Sequence, residues 1–308
     1  MKTLDKQSFE EIRRWIYRNA RPLDLAIWQC LFEDGSQETV LSILSYYQND
    51  DGGFGGPIEP DNWNPESSPY KVQHVIRMLC MIDFYDVTHP VYQGIFRFLK
   101  NTGYKADFGW FFITPANDAY PHASWWDYPS KDNEFQSVGI TAILSGFILK
   151  HGKEDQKLYQ MACDFTKTLI KYLSTASNFG DMGVKGYCRL AEDIEAAGLT
   201  EVFDYPYLCE RLHTLVRGQI LTNHFMANPL EFVPTQSSSF YDENKIEVEA
   251  ALDRIIDQRP EQGVWDIPWE WYNGNKYPKA FAISENWWKS YEAIDKLLQL
   301  KRFGRLTL

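Results

Sequence analysis

The chain has 308 residues, a net charge of −11 and 44% hydrophobic residues, enough apolar material for one large core or two modest ones. The acidic balance and the lack of a dense Lys/Arg cluster exclude a nucleic-acid-binding surface, and no run approaches the ~18 apolar residues that span a bilayer. The five scattered cysteines, with no CxxC spacing, read as buried thiols of a reducing compartment. Residues 1–20 interleave charge throughout, which argues against a cleaved leader and points to the cytoplasm.

Apolar residues recur at helical spacing from one end of the chain to the other. Phe9, Ile12, Ile16 and Tyr17 mark a helix over 7–18. Pro22 opens a second, which Gly35 stops. Further stripes predict helices over 37–48, 67–85, 90–100, 134–150, 156–174, 182–198, 206–221, 245–257 and 284–299. A short helix near 235–242 would complete the set, against the resistance of Ser237, Ser238 and Ser239. Alternating Val/Ile/Thr runs are absent, so the fold class is all-α. About six helix pairs in one domain over 1–308 suggest a closed (α/α)6 ring.

Connection lengths add an asymmetry. The joints near 33–37, 86–90 and 151–155 are short, whereas those over 49–66, 101–133 and 258–283 are long. Loops beyond ~12–15 residues are uncommon unless functional or disordered. In an antiparallel series alternate joints lie at opposite ends, so the long loops are expected at one end, over one mouth.

Three long loops begin alike. The first reads Gln48-Asn-Asp-Asp-Gly-Gly-Phe-Gly55 and the third Gln258-Arg-Pro-Glu-Gln-Gly-Val-Trp265; the second is a degenerate version ending in Asp107-Phe-Gly-Trp110. Glycine permits a left-handed turn at a helix end, and the aromatic packs over that end. This Gln–Gly–aromatic pattern resembles the repeats of the terpenoid cyclase and protein prenyltransferase superfamily of α/α toroids. The resemblance implies the ring architecture and an enzyme acting on an apolar or isoprenoid-like ligand. It carries over no catalytic residue, since the chain has no DxDD, no DDxxD and no Asp-x-Cys zinc motif.

Candidate chemistry therefore comes from the loops. Glu59, Asp61 and Glu66 crowd a segment fixed by proline and asparagine, with Trp63 among them and Ser67 or Ser68 placed to cap the next helix. Capping and solvation explain such acids, and so does acid/base work by carboxylates in unlike environments. The second long loop carries Trp110, Asp118, His122, Trp125, Trp126, Asp127, Asp132 and Glu134. The adjacent tryptophans at 125 and 126 are hard to bury together. The third carries Trp265, Asp266, Trp269, Glu270 and Trp271. Catalytic candidates are Glu59, Asp61, Asp127, Asp266 and Glu270. Ligand-binding candidates are the tryptophans at 63, 110, 125, 126, 265, 269 and 271, with His122. His122 and His224 are possible acid/base or metal residues, but no metal-ligand spacing is legible and neither a bound metal nor a cofactor is expected: HExxH, GxSxG, the P-loop and GxGxxG are all absent.

Aromatic faces serve two chemistries. They stabilise a carbocation, and they stack on sugars that paired carboxylates could cleave. Three readings follow: an isoprenoid-directed enzyme with an acid such as Asp61 as proton donor, a carbohydrate-active (α/α)6 hydrolase or lyase, and a non-catalytic binding domain. The ligand is a small molecule or an oligosaccharide in the first two; oligomeric state is not legible.

Overall fold

The computed structural model describes residues 1–128, 133–222 and 228–307. Eleven α-helices lie among them: α1 (Lys6–Asn19), α2 (Pro22–Phe32), α3 (Gln37–Ser45), α4 (Pro69–Met81), α5 (Pro90–Asn101), α6 (Asn133–His151), α7 (Gln156–Thr175), α8 (Gly183–Ala196), α9 (Tyr205–Thr222), α10 (Tyr241–Asp257) and α11 (Pro278–Arg302). Four two-residue strands, β1 (Leu4–Asp5), β2 (Lys105–Ala106), β3 (Gly109–Trp110) and β4 (Leu306–Thr307), are the only strands among the described residues. The protein is mostly helical, as the periodicity predicts. No helix is long and apolar enough to cross a membrane among the described residues.

Helix starts follow local chemistry. The Asp5 carboxylate accepts from the Ser8 amide at 2.8 Å, and the Asp155 carboxylate from the Leu158 amide at 3.1 Å. Of the two serines proposed to cap α4, Ser68 does so, accepting from the Lys71 amide at 3.2 Å. Proline occupies the first turn of α2, α4, α5 and α11, where its missing N–H costs nothing. Pro278 starts α11 six residues before the expected position, the proline at the first turn preceding the apolar stripe. The helix expected near 235–242 does not form. Its serines make a turn, with the Tyr241 amide on the Ser238 carbonyl at 3.0 Å, and α10 begins only at Tyr241.

The chain divides into two compact units. The first takes Met1–Leu44 and Val216–Leu308, the second Ser45–Leu215. In the first, α11 packs on α1, α2 and α10, and β1 pairs in parallel with β4. Buried Arg305 ties this seam, pairing with Glu249, with Asp253 at 2.8 Å and with the Lys2 carbonyl at 2.6 Å.

In the second unit α6 is buried nearly all round and packs on α4, α7 and most extensively on α8. Glycine sets that last approach. A β-carbon on Gly186 would collide with the Gly139 carbonyl, and one on Gly139 would meet Met182 backbone at 2.5 Å. Small residues there let two backbones come within contact, so more side chains of each helix reach the core.

The two copies of the loop signature that end in Trp, the degenerate second and the third, share one job. The Trp110 indole donates to the Leu99 carbonyl at 3.1 Å, and the Trp265 indole to the Ile255 carbonyl at 2.9 Å. Each acceptor is an orphan carbonyl two residues before its helix end, in α5 and α10. Where the first copy has Phe54, the Gln48 amide instead donates to the Gly52 and Val91 carbonyls at 3.0 and 3.1 Å. Gly52 and Gly263 both take positive φ, the turn that makes the device possible. Trp110 and Trp265, expected to touch ligand, are therefore buried and committed to helix ends.

Two outcomes test these assignments by chemical denaturation. Gly186→Ala should destabilise the chain by about 1–3 kcal/mol through overpacking at the α6–α8 contact. Trp265→Phe keeps the ring but strands the Ile255 carbonyl, and a loss of about 1–3 kcal/mol is expected.

Candidate functional site

Two long loops of the second unit are zipped together. Asn62 and His122 form an antiparallel bridge, the Trp63 amide donates to the Pro121 carbonyl at 3.0 Å, and the Ala123 amide donates to the Asp61 carbonyl at 2.9 Å. Irregular backbone this deep needs side-chain partners for its peptide groups. Asparagines supply them. Asn62 accepts from the Asn64 amide at 3.1 Å, and Asn64 from the Glu66 amide at 2.9 Å. The Asn64 side-chain amide donates to Asn117 at 3.0 Å, and Asn117 in turn donates to the Trp126 carbonyl at 3.3 Å. The first turns of α6 hold the other loop: Asn133 accepts from the Ile113 amide at 2.9 Å and Ser137 from the Phe112 amide at 2.9 Å.

Charge is sealed inside this frame. Glu59 is 2% exposed, Asp61 1% and Lys71 1%. Lys71 stands in the first turn of α4, and its ammonium donates to the Asn64 carbonyl. Burial pushes its pKa down to about 7, against the pull of the Glu59 carboxylate, which favours the charged form. A helix N-terminus is also a poor place for a cation. The sequence reading did not single out Lys71. Its signal was present: position 71 lies four residues before Val75, on the apolar face of α4, where a charge is out of pattern.

Aromatic rings wall the same loops. Tyr70 meets Trp126 edge to face at 4.5 Å and Phe112 at 5.1 Å, and Phe112 stacks on Trp126 at 5.1 Å. The Trp126 N–H is buried and finds no acceptor among the described residues, while its neighbour Trp125 is 37% exposed. One of the adjacent pair is thus exposed, as expected. Trp63 is half-buried and its indole donates to the Pro60 carbonyl at 2.8 Å. Beside Pro65 an open cleft of about 550 Å³ is lined by Asp51, Glu66, Ser67, Phe98 and Tyr104, with the Tyr104 hydroxyl donating to Glu66 at 3.2 Å.

Of the remaining catalytic and ligand-binding candidates, His122 and Asp127 are paired and the others lie in the first unit. His122 is buried, with Nδ1 2.6 Å from the Tyr120 carbonyl and Nε2 2.8 Å from exposed Asp127. Asp266 is exposed and paired with Lys289 at 3.0 Å, and Glu270 is exposed. Trp269 packs on Trp288 at 5.5 Å, and Trp271 is buried against Tyr277 and Phe281. These residues of the third loop belong to the first unit, whereas Glu59, Asp61, Trp63, Lys71, His122, Trp126 and Asp127 belong to the second. Asp132 and His224 lie outside the described residues.

The depressed Lys71 pKa has a measurable sign. The unfolded lysine, with a pKa of ~10.4, binds its proton more tightly than the folded one, so protonation favours unfolding. The Lys71 contribution to stability should rise as pH climbs from about 7 towards ~10, with a slope of at most ~1.4 kcal/mol per pH unit. Urea denaturation at pH 7 and at alkaline pH should show this slope in the native chain and its loss in Lys71→Met; parallel curves would refute the assignment.

No family model matches the chain, and neither a curated protein nor a solved structure does.

Proposed function

We propose that this chain is an (α/α)6-ring enzyme, similar in architecture to the terpenoid cyclases and protein prenyltransferases, that moves a proton on an apolar, isoprenoid-like ligand at the Glu59–Asp61–Lys71 loop. The observation that carries the reading is the burial of two carboxylates and an amine in the zipped loops and the first turn of α4, where Tyr70, Phe112 and Trp126 also cluster. The alternation of helices buried nearly all round, α4 and α6, with two-faced helices α5 and α7 supports the ring. So does the repeated Gln–Gly–aromatic turn.

The chemistry would run as acid followed by base. Asp61 as the acid adds a proton to an alkene carbon and leaves a carbocation. Aromatic faces stabilise that cation. Lys71, whose pKa of about 7 leaves a large neutral fraction near neutrality, removes a proton from an adjacent carbon. One proton enters the substrate and one leaves it, so the product is an isomer or a ring-closed form of the substrate, and a proton passed from Lys71 back to Asp61 would reset the site. The absence of a DDxxD motif argues against starting instead by diphosphate ionisation at such a motif.

A carbohydrate reading has one observation in its favour, the open cleft where Tyr104 and Phe98 stand beside Asp51 and Glu66. A thermal-shift screen separates the two. A true ligand at a hundred times its Kd stabilises by about 2.7 kcal/mol. Isoprenoid alcohols or diphosphates should raise the melting temperature and oligosaccharides should not. Asp61→Asn should then abolish turnover of the stabilising ligand while keeping the shift. A shift with oligosaccharides alone, lost in Glu66→Gln, would replace this reading with the carbohydrate one.

A further inference from the structure

We propose that the second loop carries a site for a divalent cation of the zinc type, formed by Asp118, His122 and Asp127. One ligand atom from each lies within 4.8 Å of the others. Exposed carboxylates gather near one another without binding anything, so the two aspartates carry little weight alone. The imidazole is what sets this group apart.

His122 is 3% exposed, and its orientation is held on one side. Nδ1 lies 2.6 Å from the Tyr120 carbonyl, which can only accept, so the Nδ1 proton is committed there. Nε2 then points at Asp127 Oδ1, 2.8 Å away, and at Asp118 Oδ1, 3.9 Å away. One imidazole nitrogen and two carboxylate oxygens converge, a donor set that suits a cation. Asp118 Oδ1 lies beyond hydrogen-bond range of Nε2 and takes its hydrogen bond from the Tyr128 amide. A zinc ion with bonds of ~2.0–2.2 Å would place its ligands ~3.3–3.5 Å apart, between the two distances observed. A bond from the second ring nitrogen to a backbone carbonyl is also how metal-bound histidines are oriented.

The frame around the site is stiff. The His122 backbone is bridged to Asn62, the Ala123 amide bonds the Asp61 carbonyl, and the Asp127 amide bonds the Ser124 carbonyl at 3.2 Å. The Tyr128 amide donates to Asp118 Oδ1 at 2.8 Å and leaves that carboxylate a second oxygen. One imidazole and two carboxylates suit Zn²⁺, whereas Mg²⁺ and Ca²⁺ favour oxygen-only shells and Cu⁺ favours sulfur. Asp118 and Asp127 are exposed, so the outer face of the ion would be open to water. Three protein ligands with an open position are the pattern of a reactive rather than a closed structural zinc. None of this depends on the proton-transfer reading of Lys71.

The test uses the full chain, stripped with a chelator and desalted, then titrated with Zn²⁺ alone by calorimetry. One ion should bind per chain. His122→Ala should abolish the binding. Asp118→Asn keeps an oxygen to accept from the Tyr128 amide, and it should weaken binding by about tenfold or more while metal-free circular dichroism and melting stay native. Absence of saturable zinc binding in the native chain would overturn the site. So would native-like affinity in a folded Asp118→Asn variant.

Discussion

Irregular backbone placed inside a protein must find a partner for every peptide group, and in the second unit that requirement organises everything else. Neither helix nor sheet can serve the stretch from Glu59 to Ser68, so side chains do. Asn62, Asn64 and Asn117 each bond backbone or one another, and Lys71 takes the Asn64 carbonyl. The arrangement is costly to disrupt at any one point, because a buried group left unpaired loses its full desolvation energy. It is also what allows two carboxylates and an amine to sit where water does not reach them.

The same logic explains the recurrent turn. A helix ends with orphan carbonyls. An indole ten or eleven residues further on folds back and donates to one, in α5 through Trp110 and in α10 through Trp265. The ring is buried in the act, so one residue caps the helix and fills space beside it. The glycines with positive φ allow the chain to reverse tightly enough for the indole to return. This gives the high tryptophan content a structural share, and the Tyr70–Phe112–Trp126 cluster accounts for a further part of the aromatic load.

Between these devices stands α6. Its buried surface on nearly every side leaves no polar face to waste, and its polar residues are turned to use. Ser137 and Asn133 hold the loop at Phe112 and Ile113, and Thr141 accepts from the Trp110 amide at 3.1 Å. The glycine contact with α8 brings the helix close enough for that geometry to be shared with its neighbour. Packing in the helices and hydrogen bonding in the loops are thus one construction: the same helix supplies both.

The all-helical class, ten of the eleven α-helix positions to within a few residues, and the loop signature were legible in the chain, because helical spacing, proline at first turns and glycine at ends are local and act within a few residues. Residue type also marked Glu59, Asp61 and Trp63 in one loop and His122 and Trp126 in another, among other candidates. Burial and pairing were decided elsewhere. Whether an indole faces ligand or a helix-end carbonyl depends on a partner about ten residues away, which separated Trp110 and Trp265 from Trp125. Asp266 and Glu270 read as acids like Asp61, yet they are exposed and Asp61 is buried. The charge of Lys71 on the apolar face of α4 was visible in the pattern, but its burial was not, and the Asp118–His122–Asp127 grouping needs the Tyr120 carbonyl on the imidazole and the Asn62 bridge to the His122 backbone. Sequence specifies which chemistry is available; desolvation and distance are properties of the assembled fold, and they select from it.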